Sequence, residues 1–140
     1  MKRQLILPIL FVTAAGCAAE PAAEHGIASL RGAEPDCQAV VATPAGDLVP
    51  TRALRVCFDH FLTGRGEVDD VTIRAALDQT LSAQLPAEAH AQAMLQYERY
   101  LTYLEAARAL AEAPGAVEVD PAEAQARLAR EHLGPEVAEA

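Results

Sequence analysis

The clearest amphipathic pattern in the chain begins at Thr51. From there, apolar residues recur at intervals of three and four positions, which is the spacing of one face of an α-helix. Thr51 is a suitable N-cap because its hydroxyl can accept a backbone N–H of the first turn, and Gly64 and Gly66 are typical of a helix end. The pattern predicts a helix whose apolar stripe consists of Leu54, Cys57, Phe58, Phe61 and Leu62.

Two more helices are predicted directly after the first. One runs from about residue 70 to residue 84, because its apolar residues recur every fourth position and Pro86 closes it. A longer helix is expected over residues 87–112, where two neighbouring apolar rows form a face wide enough for more than one neighbour. The shorter helix carries Ile73, Leu77, Leu81 and Leu85, and the longer one carries Met94, Tyr97, Leu101, Leu104 and Ala111 beside Tyr100, Tyr103, Ala107 and Leu110.

A fourth helix is predicted near the end of the sequence. Asp120 is a good N-cap, and the proline after it is favoured at the first helical position. Gly134 and the proline that follows it are expected to end this helix. Residues 29–50 are interrupted by glycines and prolines and predict a loop, with a short extended piece near Val40 and Val41. The fold class predicted from these patterns is all-α.

Composition limits both the core and the partners. Hydrophobic residues make up 51% of the 140 residues, but many are alanine, and there are three Phe, three Tyr and no Trp. Such a core is thin, because alanine buries little apolar area, and we expect the domain to be marginally stable on its own. The net charge of −9 repels phosphate backbones, so nucleic acid is excluded as a partner.

The N-terminus has the composition of an export signal. Two basic residues near the start precede an apolar run over residues 5–12, and small residues follow as far as residue 19. Residues 1–19 fit an uncleaved membrane anchor, a cleaved signal, or a lipoprotein signal in which Cys17 is lipidated. All three place the body outside the cytoplasm. Residues 20–28 are expected to be a flexible linker.

Cys37 and Cys57 remain as a possible pair. An oxidising compartment permits a disulfide between them. Their spacing in the sequence cannot establish the geometry that a disulfide needs. We therefore expect two small buried thiols.

No catalytic set is visible in the sequence. There is no nucleophile elbow, phosphate-binding loop, paired-histidine zinc motif or Cys-x-x-Cys pair. His60 stands beside Asp59, but adjacent helical residues point in different directions. We expect no enzymatic activity, no metal, no cofactor and no nucleotide.

Arg55 and Asp59 lie four positions apart and therefore share one helix face, away from the phenylalanines. One interpretation is an ordinary surface ion pair, which contributes about 0.3–0.5 kcal/mol to stability. The other is a polar patch that meets a protein partner. Spacing alone favours the surface ion pair.

The segment that starts at Arg55 resembles the signature of lipase-specific foldases, the membrane-anchored chaperones of secreted bacterial lipases. The matching positions are Arg55, Phe58, Asp59, Phe61, Leu62 and Thr63. His60 stands where the family has tyrosine, and Gly64 stands where it has alanine. Other segments that resemble the family are Ser29-Leu30-Arg31-Gly32, Gly66-Glu67, Leu85-Pro86 and Arg99-Tyr100-Leu101-x-Tyr103.

The resemblance implies an architecture and a location. Residues 29–85 would form a small helical mini-domain, and residues 86–140 would begin an extended helical arm. The family's second mini-domain has no counterpart in this sequence, so we expect a truncated form. An anchor in the cell inner membrane would leave the body facing the periplasm.

The resemblance also implies a partner, a secreted bacterial lipase that the chain binds directly while it folds. The residues expected to bind it are Arg55, Asp59, His60, Thr63, Ser29 and Arg31. The residues expected to form the core of the motif are Leu54, Phe58, Phe61 and Leu62. The alternative is a small helical envelope lipoprotein, lipidated at Cys17, with a structural or interaction role.

Overall fold

Five α-helices and one short 3₁₀ helix make up the computed structural model, which describes residues 26–32, 37–113 and 120–139. Within those ranges there is no strand, only two isolated β-bridges, so the predicted all-α class is confirmed. The 3₁₀ helix is Ala28–Leu30, and the α-helices are α1 (Arg52–Leu62), α2 (Asp70–Gln84), α3 (Ala87–Glu112), α4 (Pro121–Leu133) and α5 (Pro135–Glu139).

Local capping signals explain most of the helix ends. Asp69 accepts the backbone N–H of Thr72 at 2.7 Å, and this hydrogen bonding lowers the pKa of the Asp69 carboxyl. Asp120 accepts the N–H of Ala122 at 3.0 Å. Helix α1 begins directly after Thr51, as predicted. The prediction that the Thr51 hydroxyl caps this helix is wrong, because the hydroxyl makes no capping hydrogen bond and is buried without a hydrogen-bond partner.

The apolar stripes of α1 and α2 face each other and form the centre of the core. Every residue of the predicted α2 stripe is buried, and so are four of the five in α1. Leu62 is the exception: it is only partly buried, although it still packs against the core. The fully inaccessible side chains here are Leu54, Cys57, Phe61, Ile73, Leu77 and Leu81.

Helix α3 has two unlike halves. All of its buried residues lie between Ala89 and Tyr100, whereas the later apolar residues are partly or fully exposed. Helix α4 folds back along α3, and the Gln125 side-chain amide donates to the Tyr103 hydroxyl at 3.4 Å. Ala129, Leu133 and Val137 bring α4 and α5 into the same hydrophobic cluster as α1 and α2.

The sequence did not anticipate this return of α4 or the existence of α5. The predicted boundary between the mini-domain and the arm lies between residues 85 and 86. One hydrophobic cluster contains residues from both sides of that boundary. That division of the chain stays a prediction.

The segment before α1 is held to the helices at several points. Cys37 and Cys57 form a disulfide with a Cα–Cα distance of 4.6 Å, so the expectation of two free thiols is wrong. The Gln84 side-chain amide donates to the Cys37 carbonyl at 2.9 Å. Ala42 and Leu48 form an antiparallel bridge near the predicted extended piece. Leu48 also donates its N–H to Gln92 at 2.8 Å.

The predicted membrane segment, residues 1–19 with Cys17, lies outside the described residues. No helix within the described ranges is long and apolar enough to cross a membrane. Of the predicted linker, residues 20–25 also lie outside. The described end of that linker is packed rather than free, because Ile27 is only 1% exposed.

Candidate partner-binding surface

Helix α1 separates the residues of the motif into two sets. Phe58 and Phe61 are at most 1% exposed and lie in the core. Asp59 is exposed and Arg55 is half-buried on the other side of the helix. The separation follows from helical geometry, because residues four positions apart share a face. The predicted placement of these four side chains is confirmed.

The carboxylate of Asp59 is held by a tyrosine of another helix. The Tyr100 hydroxyl on α3 donates to Oδ1 of Asp59 at 2.6 Å. No ion pair between Arg55 and Asp59 within 4.0 Å occurs in the described part of the chain. The interpretation of these two residues as a surface ion pair is therefore wrong, because the short contact of Asp59 is with Tyr100.

Ring packing fixes the position of Tyr100. Its ring is stacked on that of Tyr103, with the ring centroids 6.0 Å apart and 26° between the planes. On its other contact, the centroid of the Phe58 ring lies 5.7 Å from that of Tyr100. Burial, followed by the hydrogen bond to Asp59, raises the pKa of Tyr100, so the hydroxyl keeps its proton and remains a donor at neutral pH.

His60 and Thr63 occupy the last turn of α1. His60 is half-buried, and its ring stands edge-on to that of Phe61, with the ring centroids 5.4 Å apart. Its Nε2 atom is buried without a hydrogen-bond partner. The Thr63 hydroxyl donates to the His60 carbonyl at 2.6 Å. Thr63 therefore helps to close the helix end, and its role in partner binding stays a prediction.

The structure brings together two segments that carried the family resemblance. The Ser29 N–H donates to the Glu67 carboxylate at 3.1 Å, and Ile27 lies against Gly64. Ser29 and Arg31 are exposed. The predicted binding residues of this segment therefore lie beside the loop that follows α1, on the accessible surface.

Sequence reasoning missed Tyr100 as a site residue. Its only signals were its place in an apolar row and in a segment that resembles the family. It lies 41 positions from Asp59, so neither signal could pair the two residues. Among the described residues, no group of three or more His, Cys, Asp or Glu side chains is placed to hold a metal ion.

An open cleft between α3 and α5 was not predicted either. It has a volume of about 400 Å³. Leu95, which is 54% exposed, and Arg99 line one side of it, and Pro135 and Val137 line the other. The cleft is a second accessible surface, but none of the predicted binding residues lines it.

Two curated proteins are similar to this chain in sequence. A lipase chaperone of Acinetobacter venetianus is 37% identical over 79 residues, which are 56% of this chain and 22% of that protein. A lipase chaperone of Chromobacterium violaceum is 41% identical over 87 residues, which are 61% of this chain and 28% of that protein. No family model matches the chain. The chain thus matches about a quarter of the length of these relatives.

Proposed function

We propose that this chain, which is homologous to the lipase chaperone family over about 60% of its length, assists the folding of a secreted lipase by binding it directly. The observation that carries the proposal is the exposure of Asp59. Packing in the core explains why the motif contains Phe58 and Phe61. It does not explain the exposed carboxylate of Asp59. Charged groups at such positions guide a protein partner into register.

The acidic character of the whole chain supports a protein partner with a cationic surface. The net charge of −9 attracts such a partner during diffusional encounter and raises the association rate. Arg55, Asp59 and His60 on α1, together with Ser29 and Arg31 in the preceding segment, form the proposed binding set.

Binding energy alone must drive the proposed activity, because the sequence has no nucleotide-binding motif. A protein that binds a native-like folding state of the lipase better than misfolded states shifts the population toward the native fold. The matched region is about a quarter of each relative, so we propose that this chain supplies one part of the lipase-binding surface.

We further propose that the body of the chain lies on the outer side of the cytoplasmic membrane. The Cys37–Cys57 disulfide supports this location, since disulfides form and persist in oxidising compartments. The basic-apolar-small order of residues 1–19 supports it independently. A reporter enzyme active only in the periplasm, fused after Ala28, should be active in expressing cells, and an inactive reporter would refute the location.

The test of the proposed function is lipase binding and reactivation by the Asp59→Ala variant. The probe is a secreted lipase from the same genome, unfolded in urea and diluted into the purified chain. Loss of a charged group from an interface costs about 2 kcal/mol or more of binding free energy. The variant also leaves the Tyr100 hydroxyl without its acceptor, which should reduce folding stability by about 1–3 kcal/mol, so binding is measured under conditions in which the variant remains folded.

Two other variants serve as controls in that experiment. Asp70→Ala removes an exposed aspartate of α2, whose Oδ1 lies 3.1 Å from Nε of Arg65. This variant should bind the lipase as well as the parent chain does. Phe58→Ala should destabilise the fold by about 3–5 kcal/mol and lose binding only through unfolding. The proposal is wrong if Asp59→Ala binds and reactivates the lipase as well as the parent chain does.

A further inference from the structure

The orientation of the Asp59 carboxylate depends on a helix other than its own. Asp59 is on α1, and its Oδ1 atom accepts the Tyr100 hydroxyl of α3 at 2.6 Å. Within the described residues, no other side-chain hydrogen bond or ion pair involves this carboxylate. One oxygen is therefore fixed, and Oδ2 remains available to a donor from outside.

Tyr100 is well suited to act as a fixed reference point. The residue is only 7% exposed. The rings of Tyr103 and Phe58, with centroids 6.0 Å and 5.7 Å from that of Tyr100, restrict its ring. An exposed aspartate normally samples several rotamers and loses that freedom when it binds a partner. A hydrogen bond from an immobile hydroxyl removes part of this entropic cost before the partner arrives.

We infer that Tyr100 is a positioning residue for partner binding: it holds Oδ1 of Asp59 and so presents Oδ2 to a cationic side chain, arginine or lysine, of the lipase. The inference rests on the proposed function and extends it by a residue of another helix and by the chemistry of the group received. The acidic net charge of the chain, −9, favours a cation over an anion at this position.

A purely structural role for the same hydrogen bond is the competing explanation, because the bond also ties α1 to α3. Tyr97 provides the matched control. It lies one helical turn before Tyr100, it is 0% exposed, and its hydroxyl has no hydrogen-bond partner. Tyr97→Phe therefore makes the same chemical change in the same helix without removing a hydrogen bond.

The experiment compares Tyr100→Phe, Tyr97→Phe, Asp59→Ala and the double variant Asp59→Ala/Tyr100→Phe in the full chain. The readouts are the Kd for a urea-unfolded secreted lipase from the same genome, diluted to refold, and the melting temperature by circular dichroism. Tyr100→Phe should weaken binding about three- to tenfold, the range expected from freeing one side chain. Tyr97→Phe should leave the Kd unchanged.

The double variant separates positioning from structure. If Tyr100 acts through Asp59, then Tyr100→Phe should have no further effect on the Kd once Asp59 is alanine. An equal loss in both backgrounds would show a structural role and overturn the inference, and so would an unchanged Kd for Tyr100→Phe alone. If Asp59→Ala itself leaves the Kd unchanged, the proposed function fails as well, so the two failures are distinguishable.

NMR of the labelled tyrosines tests the geometry without any lipase. The chemical shift of the ring carbon that bears the hydroxyl responds to hydrogen-bond donation. In Asp59→Ala, this shift should change for Tyr100 and stay constant for Tyr97. A Tyr100 signal that does not respond to the loss of Asp59 would overturn the inference.

Discussion

Gly64 shows how one residue can adapt the motif to its surroundings. The lipase-specific foldases resembled by this segment usually have alanine at this position. A Cβ atom on Gly64 would lie 2.8 Å from Cγ2 of Ile27 and 3.3 Å from the carbonyl oxygen of Phe61. The glycine thus makes room for Ile27, which anchors the segment that carries Ser29 and Arg31.

Gly64→Ala should therefore destabilise the fold, although it introduces the residue typical of the family. Overpacking of a closed site costs about 1–3 kcal/mol, which exceeds the roughly 0.4–1 kcal/mol gained from stiffening the unfolded chain. Urea unfolding followed by circular dichroism measures the difference in stability.

The control for this prediction is the same substitution in an Ile27→Ala background. There the added methyl group meets no Cγ2 atom, so Gly64→Ala should be neutral or slightly stabilising. A destabilisation of equal size in both backgrounds would mean that Ile27 is not the reason for the glycine.

At the scale of the elements, α3 packs against both α2 and α4. Its first half carries the buried residues Ala89, Ala93, Met94, Tyr97 and Tyr100. The apolar residues of its second half are only partly covered. On α4, Ala124 is buried next to Gln125, whose side chain bonds to Tyr103, whereas Leu133 lines the cleft with Leu95 and Arg99 of the first half. Small side chains bury little area, so the far end of this helix pair is weakly held.

We predict that the two halves of α3 differ in hydrogen exchange. Local opening requires less free energy where few apolar contacts are broken, so backbone amides of residues 104–112 should exchange faster than those of residues 93–100. Native-state exchange measured by NMR gives both rates in one sample, and α2 serves as the protected reference. Equal protection along α3 would contradict the prediction.

At the scale of the whole molecule, the disulfide joins Cys37, in the segment before α1, to Cys57 of α1. Cys37 and Cys57 are 20 positions apart. A cross-link over that length lowers the entropy of the unfolded chain and stabilises the folded state by about 3 kcal/mol. Reduction should lower the free energy of unfolding by about this amount. Urea unfolding with and without a reducing agent measures it.

A Cys37→Ser/Cys57→Ser double variant is the control for the disulfide. It should be as unstable as the reduced chain and should not respond to reductant, because it retains only Cys17. An unchanged unfolding midpoint of the parent chain on reduction would show that the bond contributes little to stability.

The sequence by itself determined the helices α1 to α4 and most of the buried faces of α1 and α2. The bounds predicted for α2 and α3 are confirmed, since a helix end depends on caps, prolines and apolar spacing within a few residues. The inward set, Phe58 and Phe61, and the outward set, Arg55 and Asp59, follow from the same periodicity. The motif that indicated the lipase chaperones was also readable, because its residues are contiguous.

Only the tertiary structure decided which distant side chains meet. It paired Asp59 with Tyr100, bonded Cys37 to Cys57, placed Ile27 against Gly64 and turned α4 back along α3. These contacts join residues that lie 20 to 41 positions apart. Such contacts depend on how helices pack against one another, and apolar spacing specifies which face of a helix is buried without specifying what covers it.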